Sequence, residues 1–230
     1  NFFGSLYKKD KIVSITLYKT YLRVLNDILR KIGININTVP VLDVLRKNTH
    51  SIIGRRSFSE NKDIVKKFGE ITIKECYRKN IIPVIKHIPG HGCSTQDSHL
   101  TLPKVNLNKK TLNNIDFYPF KSSSAKLAMT AHILYSKIDS INVSTFSKKI
   151  IKEIIREKIG FKGILISDDI SMKALKYDLL TNAKKSFAAG CNLVLYCAGN
   201  IKDNFKLIKS VPYIDKFTQK KTSEIYKNLR

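Results

Sequence analysis

Residues 83–103 read PVIKHIPGHGCSTQDSHLTLP. The opening residues alternate as a short buried strand does. The strand then runs into two polar side chains, Lys86 and His87, where a purely structural strand stops on a turn. Pro89, Gly90 and Gly92 bend the chain into a loop that carries His91, Asp97 and His99 before Pro103 closes it. Three of the five histidines of the protein, His87, His91 and His99, fall in this stretch. Loops rich in Gly and Pro collect polar residues simply by lying in water. The types here also have a use: Asp97 stands two residues before His99, so the carboxylate can orient the imidazole, and an oriented imidazole gives and takes a proton near neutral pH.

To either side of this stretch the chain alternates helix and strand. Leu17, Tyr21, Val24, Leu25, Ile28 and Leu29 lie at helical spacing within residues 14–32, and Gly33 ends the run. Residues 36–44, INTVPVLDV, read as a short strand followed by a turn over PVLDV, with Asp43 beyond the strand end, a position where a carboxylate commonly holds a turn through its own backbone. Ile64, Val65, Phe68, Ile71 and Cys76 mark the helix leading into the 83–103 stretch. Beyond it, Leu112, Ile115, Phe117 and Phe120 form a second apolar face, and residues 126–131 form a strand delivering His132. Ser147 caps a helix that buries Ile150, Ile151, Ile154, Ile155 and Ile159 and stops at Gly160. The next strand, residues 163–167, runs into Asp168 and Asp169, and two adjacent carboxylates at the end of a buried strand are costly unless they are used or well bonded. A last strand covers residues 192–197, and Phe205, Leu207, Ile208, Ile214, Phe217, Ile225 and Leu229 suggest helices packing over the end of the sheet. Repeated β-α units with His87, His132 and Asp168 at the C-terminal ends of separate strands predict an α/β fold of the (β/α)8 TIM-barrel type. A doubly wound sheet is the alternative, disfavoured because no Gly-rich phosphate loop follows any strand.

Composition bounds what such a fold does. A chain of 230 residues supports one sizeable core, and no Gly/Ser/Pro-rich linker divides it, which predicts a single domain over residues 1–230. No apolar run reaches membrane-spanning length and the N-terminal residues lack the core of a signal peptide, so a cytoplasmic protein without membrane association is expected. Cys76, Cys93, Cys191 and Cys197 show no paired spacing, which predicts reduced thiols and no structural zinc. The net charge of +24 would by itself suggest nucleic acid or an anionic surface. The lysines are spread over nearly every amphipathic segment without an RNA-binding signature, in keeping with A/T-rich coding bias. We therefore expect no specific nucleic-acid partner, only weak salt-sensitive association.

The string KHIPGHGCSTQDSH closely resembles the KHFPGHG...DSH signature of bacterial family 3 glycoside hydrolases, the β-N-acetylglucosaminidases of cell-wall recycling. The resemblance implies Asp97 and His99 as a general acid/base dyad and Lys86 with His87 as sugar contacts. Residues 53–60, IGRRSFSE, look like the G-x-R-S-F segment of the family, which implies a sugar contact at Arg56 and leaves Arg55 where relatives commonly carry an acid. AHILY is similar to the AH-x-x-Y pattern at His132, a histidine that is either supporting or simply structural. ISDDISM resembles SDD-x-S-M, implying Asp168 as the nucleophile, Asp169 in supporting hydrogen bonds and Met172 packed beside the site. AGC followed by Asn192 departs from AGCD, so a salt bridge made there by relatives would become a hydrogen bond.

What the resemblance implies is retaining hydrolysis of terminal β-linked N-acetylglucosamine from muropeptide fragments, without metal or other cofactor. Nothing in the chain matches the D-Q-E-G-G-R-V segment that family members carry on an earlier strand unit, and only about five of eight barrel strands are legible. The expectation is a barrel incomplete at its N-terminus and weak or inactive alone, prone to self-association or completed by a missing N-terminal segment. Two other readings stay open: a truncated, non-catalytic sugar-binding relative, and a metal-dependent barrel hydrolase built from His87, His91, Asp97 and His99.

Overall fold

A computed structural model describes residues 1–98 and 100–227. Helices α1 (Phe2–Lys9) and α2 (Lys11–Lys31) lead into strand β1 (Ile36–Asn37); α3 (Ser51–Gly54) and α4 (Lys62–Arg78) precede β2 (Ile82–Ile88). Then follow β3 (Lys104–Val105), α5 (Lys109–Asn114), β4 (Leu127–Thr130), β5 (Leu134–Tyr135), a π-type helix (Ile150–Lys158), β6 (Ile164–Asp169), α6 (Leu179–Ala189), β7 (Leu193–Leu195), α7 (Ile201–Ser210) and α8 (Lys216–Lys227). Short polar side chains start the helices: Asp10 accepts from the Val13 amide at 2.9 Å, and Asn61 from Asp63 and Ile64 at 2.8 and 3.2 Å. Ser147 accepts from Ile150 at 3.0 Å, as its position before the isoleucine run predicts, and the helix it caps stops before Gly160 at φ +78°.

The main sheet has five parallel strands in the order β1-β2-β4-β6-β7, each neighbouring the next in sequence. A doubly wound sheet reverses its strand order part-way; this one does not, and it is the arc of an incomplete (β/α)8 barrel. A two-stranded parallel sheet, β3 with β5, ties the chain after β2 to the chain after β4. β4 is buried along its whole length and β2 everywhere but Lys86, because both faces are covered. On the outer face Ile85, Ala128 and Leu165 pack with Val65 and Ile73 of α4 and with Ile150, Ile151, Ile154 and Ile155. On the inner face Ile82, Val84, Leu127, Met129 and Ile164 pack with Ile225 of α8. The two-residue period of a strand thus sets Lys86 on the side of Ile82 and Val84, and Asp168 on the side of Ile164 and Ile166.

Two expectations change. The helix of residues 14–32 exists, but its buried positions are Ser14, Tyr18, Leu22 and Asn26, while Leu17, Tyr21, Val24 and Ile28 are about half exposed or more. Hydrogen bonds to α4 choose that face: the Tyr18 and Thr72 hydroxyls meet at 2.6 Å and the Asn26 side-chain amide donates to the Glu75 carbonyl at 3.2 Å. The strand that begins at Ile36 ends at Asn37, as a turn over residues 40–44 requires; Pro40 has no N–H to give the ladder, and Val41 makes only an isolated bridge to Lys86. In the C-terminal helices Leu207 and Ile225 are buried, whereas Phe205, Ile208, Ile214 and Phe217 face outward; Leu229 lies outside the described residues. No helix among the described residues is long and apolar enough to cross a membrane.

Candidate active site

The loop after β2 is held from below. Asp43 is fully buried, and its carboxylate accepts from the His87 imidazole Nδ1 at 2.7 Å, the His91 amide at 2.6 Å and the His87 amide at 3.3 Å. Asp43 therefore does not hold its own turn; it clamps the loop of a different strand. Burial alone would push its carboxyl pKa up, and the His87 and His91 groups reverse this, leaving it below the ordinary carboxylate value. Gly92 is required by contact, since a Cβ there would lie 1.9 Å from the Val44 carbonyl oxygen. Gly90 has φ +141°, and its carbonyl accepts from the hydroxyl of buried Tyr135, the tyrosine of AHILY. The Arg56 segment is fixed to the same hub: Ser57 donates to the Asp43 carbonyl at 2.6 Å, and Phe58 packs on Phe68 and Tyr18 with centroid distances of 5.3 and 5.6 Å.

At the C-terminal end of β6 the half-buried Asp168 carboxylate accepts from the Asp169 amide at 2.9 Å. Burial would raise its pKa, but His87, His132, that amide and the Lys86 ammonium outweigh burial and hold it below the ordinary value, so the group is ionised at neutral pH. The ends of β2, β4 and β6 thus bring together Lys86 and His87, His132, and Asp168, side chains far apart in sequence. Lys86 is half-buried and donates to Thr38 at 3.2 Å; burial, then the Arg56 guanidinium, lower its pKa, while Asp168 and Asp43 oppose them. Arg55, Arg56, Lys86 and Thr38 line one open cleft of about 750 Å³ whose other wall is Phe3, Tyr21 and Leu25.

His132 is fully buried and bonded at both nitrogens. Burial lowers its pKa, so it is a neutral ring. The Asp169 carbonyl can only accept, so Nε2–H donates to it at 3.0 Å and Nδ1 accepts from the Thr145 hydroxyl at 2.8 Å. Thr130 meets Thr145 at 2.8 Å and takes the Asp168 amide at 3.4 Å, so one chain of bonds from β4 grips the backbone of both aspartates. The Asp169 carboxylate accepts from the Ser171 amide and hydroxyl at 3.0 and 2.7 Å and from the Cys197 amide at 3.2 Å. Met172 is buried there, its amide 3.2 Å from the Asp169 carbonyl. Asp97 is half-buried, and its backbone carbonyl accepts from Leu100 and Thr101 at 3.1 and 3.0 Å; His99 lies outside the described residues. His87 and His91 direct Nδ1 and Nε2 at Asp43 and Ser98, and among the described residues no group of three or more His, Cys, Asp or Glu is arranged to hold a metal.

Residues 9–224 match the family described as Glycosyl hydrolase family 3 N terminal domain. The chain belongs to glycosyl hydrolase family 3. It is 34% identical over 203 residues to a beta-hexosaminidase of Neisseria gonorrhoeae, covering 86% of this chain and 56% of that protein. A beta-hexosaminidase of Shewanella frigidimarina is 34% identical over 177 residues, 74% of this chain and 51% of the relative. The chain thus spans about half the length of these two curated relatives. Among solved structures, NagZ from Neisseria gonorrhoeae in complex with N-trifluoroacetyl-D-glucosamine superposes with a TM-score of 0.87 at 29% identity, covering 97% of this chain and 65% of that one. The beta-N-acetylglucosaminidase from Thermotoga maritima gives 0.77 at 29% identity, covering 97% and 49%. Within this family 3 fold, sequence reasoning missed Asp43, the Thr130–Thr145 pair and the contact of His91 with Ser98. Asp43 had a signal: like Asp168, it is a carboxylate at the far end of an apolar run that starts as a strand. The threonines had none, because only the packing of β4 on the chain at Thr145 joins them.

The departure at Asn192 is legible in the contacts. Its Oδ1 accepts from Arg156 at 3.0 Å and from the Leu165 amide at 2.9 Å, and its Nδ2 donates to Thr218 at 2.9 Å, so hydrogen bonds tie the start of β7 to β6, the π-type helix and α8.

Proposed function

We propose that residues 1–230 form a single catalytic-barrel unit of a retaining β-N-acetylglucosaminidase that removes terminal β-linked N-acetylglucosamine from muropeptide fragments of cytoplasmic cell-wall recycling. The observation that carries the reading is the Asp168 carboxylate at the end of β6, kept ionised beside Lys86, His87 and neutral His132. An ionised carboxylate on the inner face of a barrel is placed to attack an anomeric carbon and form a glycosyl-enzyme. His99, oriented by Asp97, protonates the leaving oxygen and then activates water. Lys86, His87 and Arg56 bind sugar hydroxyls, with Arg56 supplying fixed donors. Thr130, Thr145, His132 and Asp169 hold the nucleophile in place, and Met172 packs beneath it. No cofactor takes part. The names of the relatives, beta-hexosaminidase and NagZ, support the substrate class.

A fluorinated β-N-acetylglucosaminide that forms the glycosyl-enzyme but releases it slowly tests this directly by intact-protein mass. One adduct is expected on the native chain, mapping to the 164–169 peptide and absent from Asp168→Ala. An adduct elsewhere, or one that persists in the variant, overturns the assignment. Sugar binding without any adduct replaces the reading with that of a non-catalytic relative, and turnover abolished by a chelator replaces it with a metal hydrolase.

A further inference from the structure

The segment bearing Asp97 leaves the β2 floor at His91, and the structure joins the two again through side chains. The backbone at His91 is immobilised by the 2.6 Å bond from its amide to Asp43 and by the contact of Gly92 with Val44. The His91 ring is 2% exposed and stands edge-on to His87, with centroids 5.6 Å apart at 66°. Its Nε2 lies 3.2 Å from the hydroxyl of Ser98, which is itself only 3% exposed and sits between Asp97 and His99 in the chain. Between these two buried groups the chain is buried again at Ser94, whose carbonyl accepts from the His50 amide at 3.0 Å, and then exposed at Thr95 and Gln96; beyond Ser98, Leu100 is 64% exposed. The other ring nitrogen of His91, Nδ1, is buried without a hydrogen-bond partner. Burying an imidazole with one nitrogen unsatisfied is costly, and a Leu or Phe would fill the space without that penalty. What the imidazole adds over an apolar ring is the bond to Ser98.

We propose that His91 is a positioning residue for the acid/base loop: its bond to Ser98 holds Asp97 and Ser98 near the Asp43–His87 pair, so that the carboxylate of the dyad and a sugar contact share one support. This rests on the reading of Asp97 and His99 as the dyad. Deprotonation of the ring at neutral pH agrees with the role, since burial lowers its pKa to about 4 and a neutral imidazole bonds a hydroxyl in either tautomer.

Ser98→Ala and His91→Phe remove the bond from either side, and Ser98→Ala does so with the smallest change of volume. A single neutral hydrogen bond corresponds to about a five- to ten-fold effect. We expect kcat/KM, which reports formation of the glycosyl-enzyme and not its hydrolysis, to fall by that factor for a β-N-acetylglucosaminide with a poorly acidic alcohol as leaving group, and to stay within two-fold for a nitrophenyl leaving group that needs no proton. The double variant should be no worse than either single one. A general structural defect would slow both substrates alike and would overturn the proposal. So would full retention of the rate on the poor leaving group in Ser98→Ala. A native chain that hydrolyses neither substrate would instead count against the parent reading. Hydrogen exchange, which needs no turnover, separates the cases: the peptide spanning 95–101 should exchange faster in Ser98→Ala while the β2 peptide is unchanged, and equal protection there refutes the anchoring.

Discussion

Replacing Asp43 with alanine should be among the most destabilising single changes in this chain. The carboxylate is fully buried and accepts from His87 Nδ1 at 2.7 Å, the His91 amide at 2.6 Å and, weakly, the His87 amide at 3.3 Å. Both histidines are at least 95% buried, so water does not replace the lost acceptor without opening the loop. Two well-formed bonds to a charged group lost, with their donors stranded, cost about 3–5 kcal/mol together. Against a total stability of about 5–15 kcal/mol, that is about a fifth of the fold or more. Asp43→Asn keeps the shape and one acceptor oxygen. If His87 changes tautomer, its Nδ1 accepts from the new amide, so only charge assistance is lost, at about 1–2 kcal/mol. Urea unfolding followed by far-UV circular dichroism measures both variants, with an unchanged m-value as the check that the unfolded states match. A loss below about 1 kcal/mol for Asp43→Ala, or equal losses for alanine and asparagine, would refute the idea of Asp43 as a clamp on the β2 loop.

His91 makes stability depend on acid. Its folded pKa of about 4 lies below the ordinary 6.5, so the unfolded chain takes up the proton first. This contribution is whole above pH 6.5 and is lost as pH falls toward 4, about 3 kcal/mol in all. The fall between those limits should be flatter in His91→Phe, and identical pH profiles would rule the account out. Asn192→Asp should pair with Arg156 and raise the melting temperature by an amount equivalent to about 1 kcal/mol, since a charge-assisted bond is stronger than a neutral one; a lower melting temperature would show that the neutral network with Thr218 is the better arrangement. Leu17→Ser with Ile28→Ser, on the exposed face of α2, should change unfolding free energy by no more than about 0.5 kcal/mol yet reduce self-association in sedimentation velocity. An unchanged sedimentation profile from a chain that does associate would place the contact elsewhere.

Much of this protein is local enough to be read along the chain. Alternating apolar residues ending on Lys86 and on Asp168 mark strands that deliver polar groups at one end, because strand period and turn chemistry are nearest-neighbour properties. The same holds for Ser147 as a cap and for the glycines at 33 and 160, whose φ values of +82° and +78° follow from the turns they make. The motif segments carry the family for the same reason: contiguous residues keep their spacing in any fold. What tertiary structure alone decided is which face pays off against which neighbour. Counting apolar residues puts the buried side of α2 at Leu17, Tyr21 and Ile28, but Thr72 and Glu75 on α4 draw in Tyr18 and Asn26 instead, and a partner from another helix is invisible to periodicity. Asp43 reads as a turn residue until the parallel pairing of β1 with β2 sets it beneath His87, 44 positions away. The support of Asp168 through Thr130, Thr145 and His132 likewise exists only once β4 and β6 lie side by side, since hydrogen bonds depend on distance in space and the chain order records only distance along the backbone.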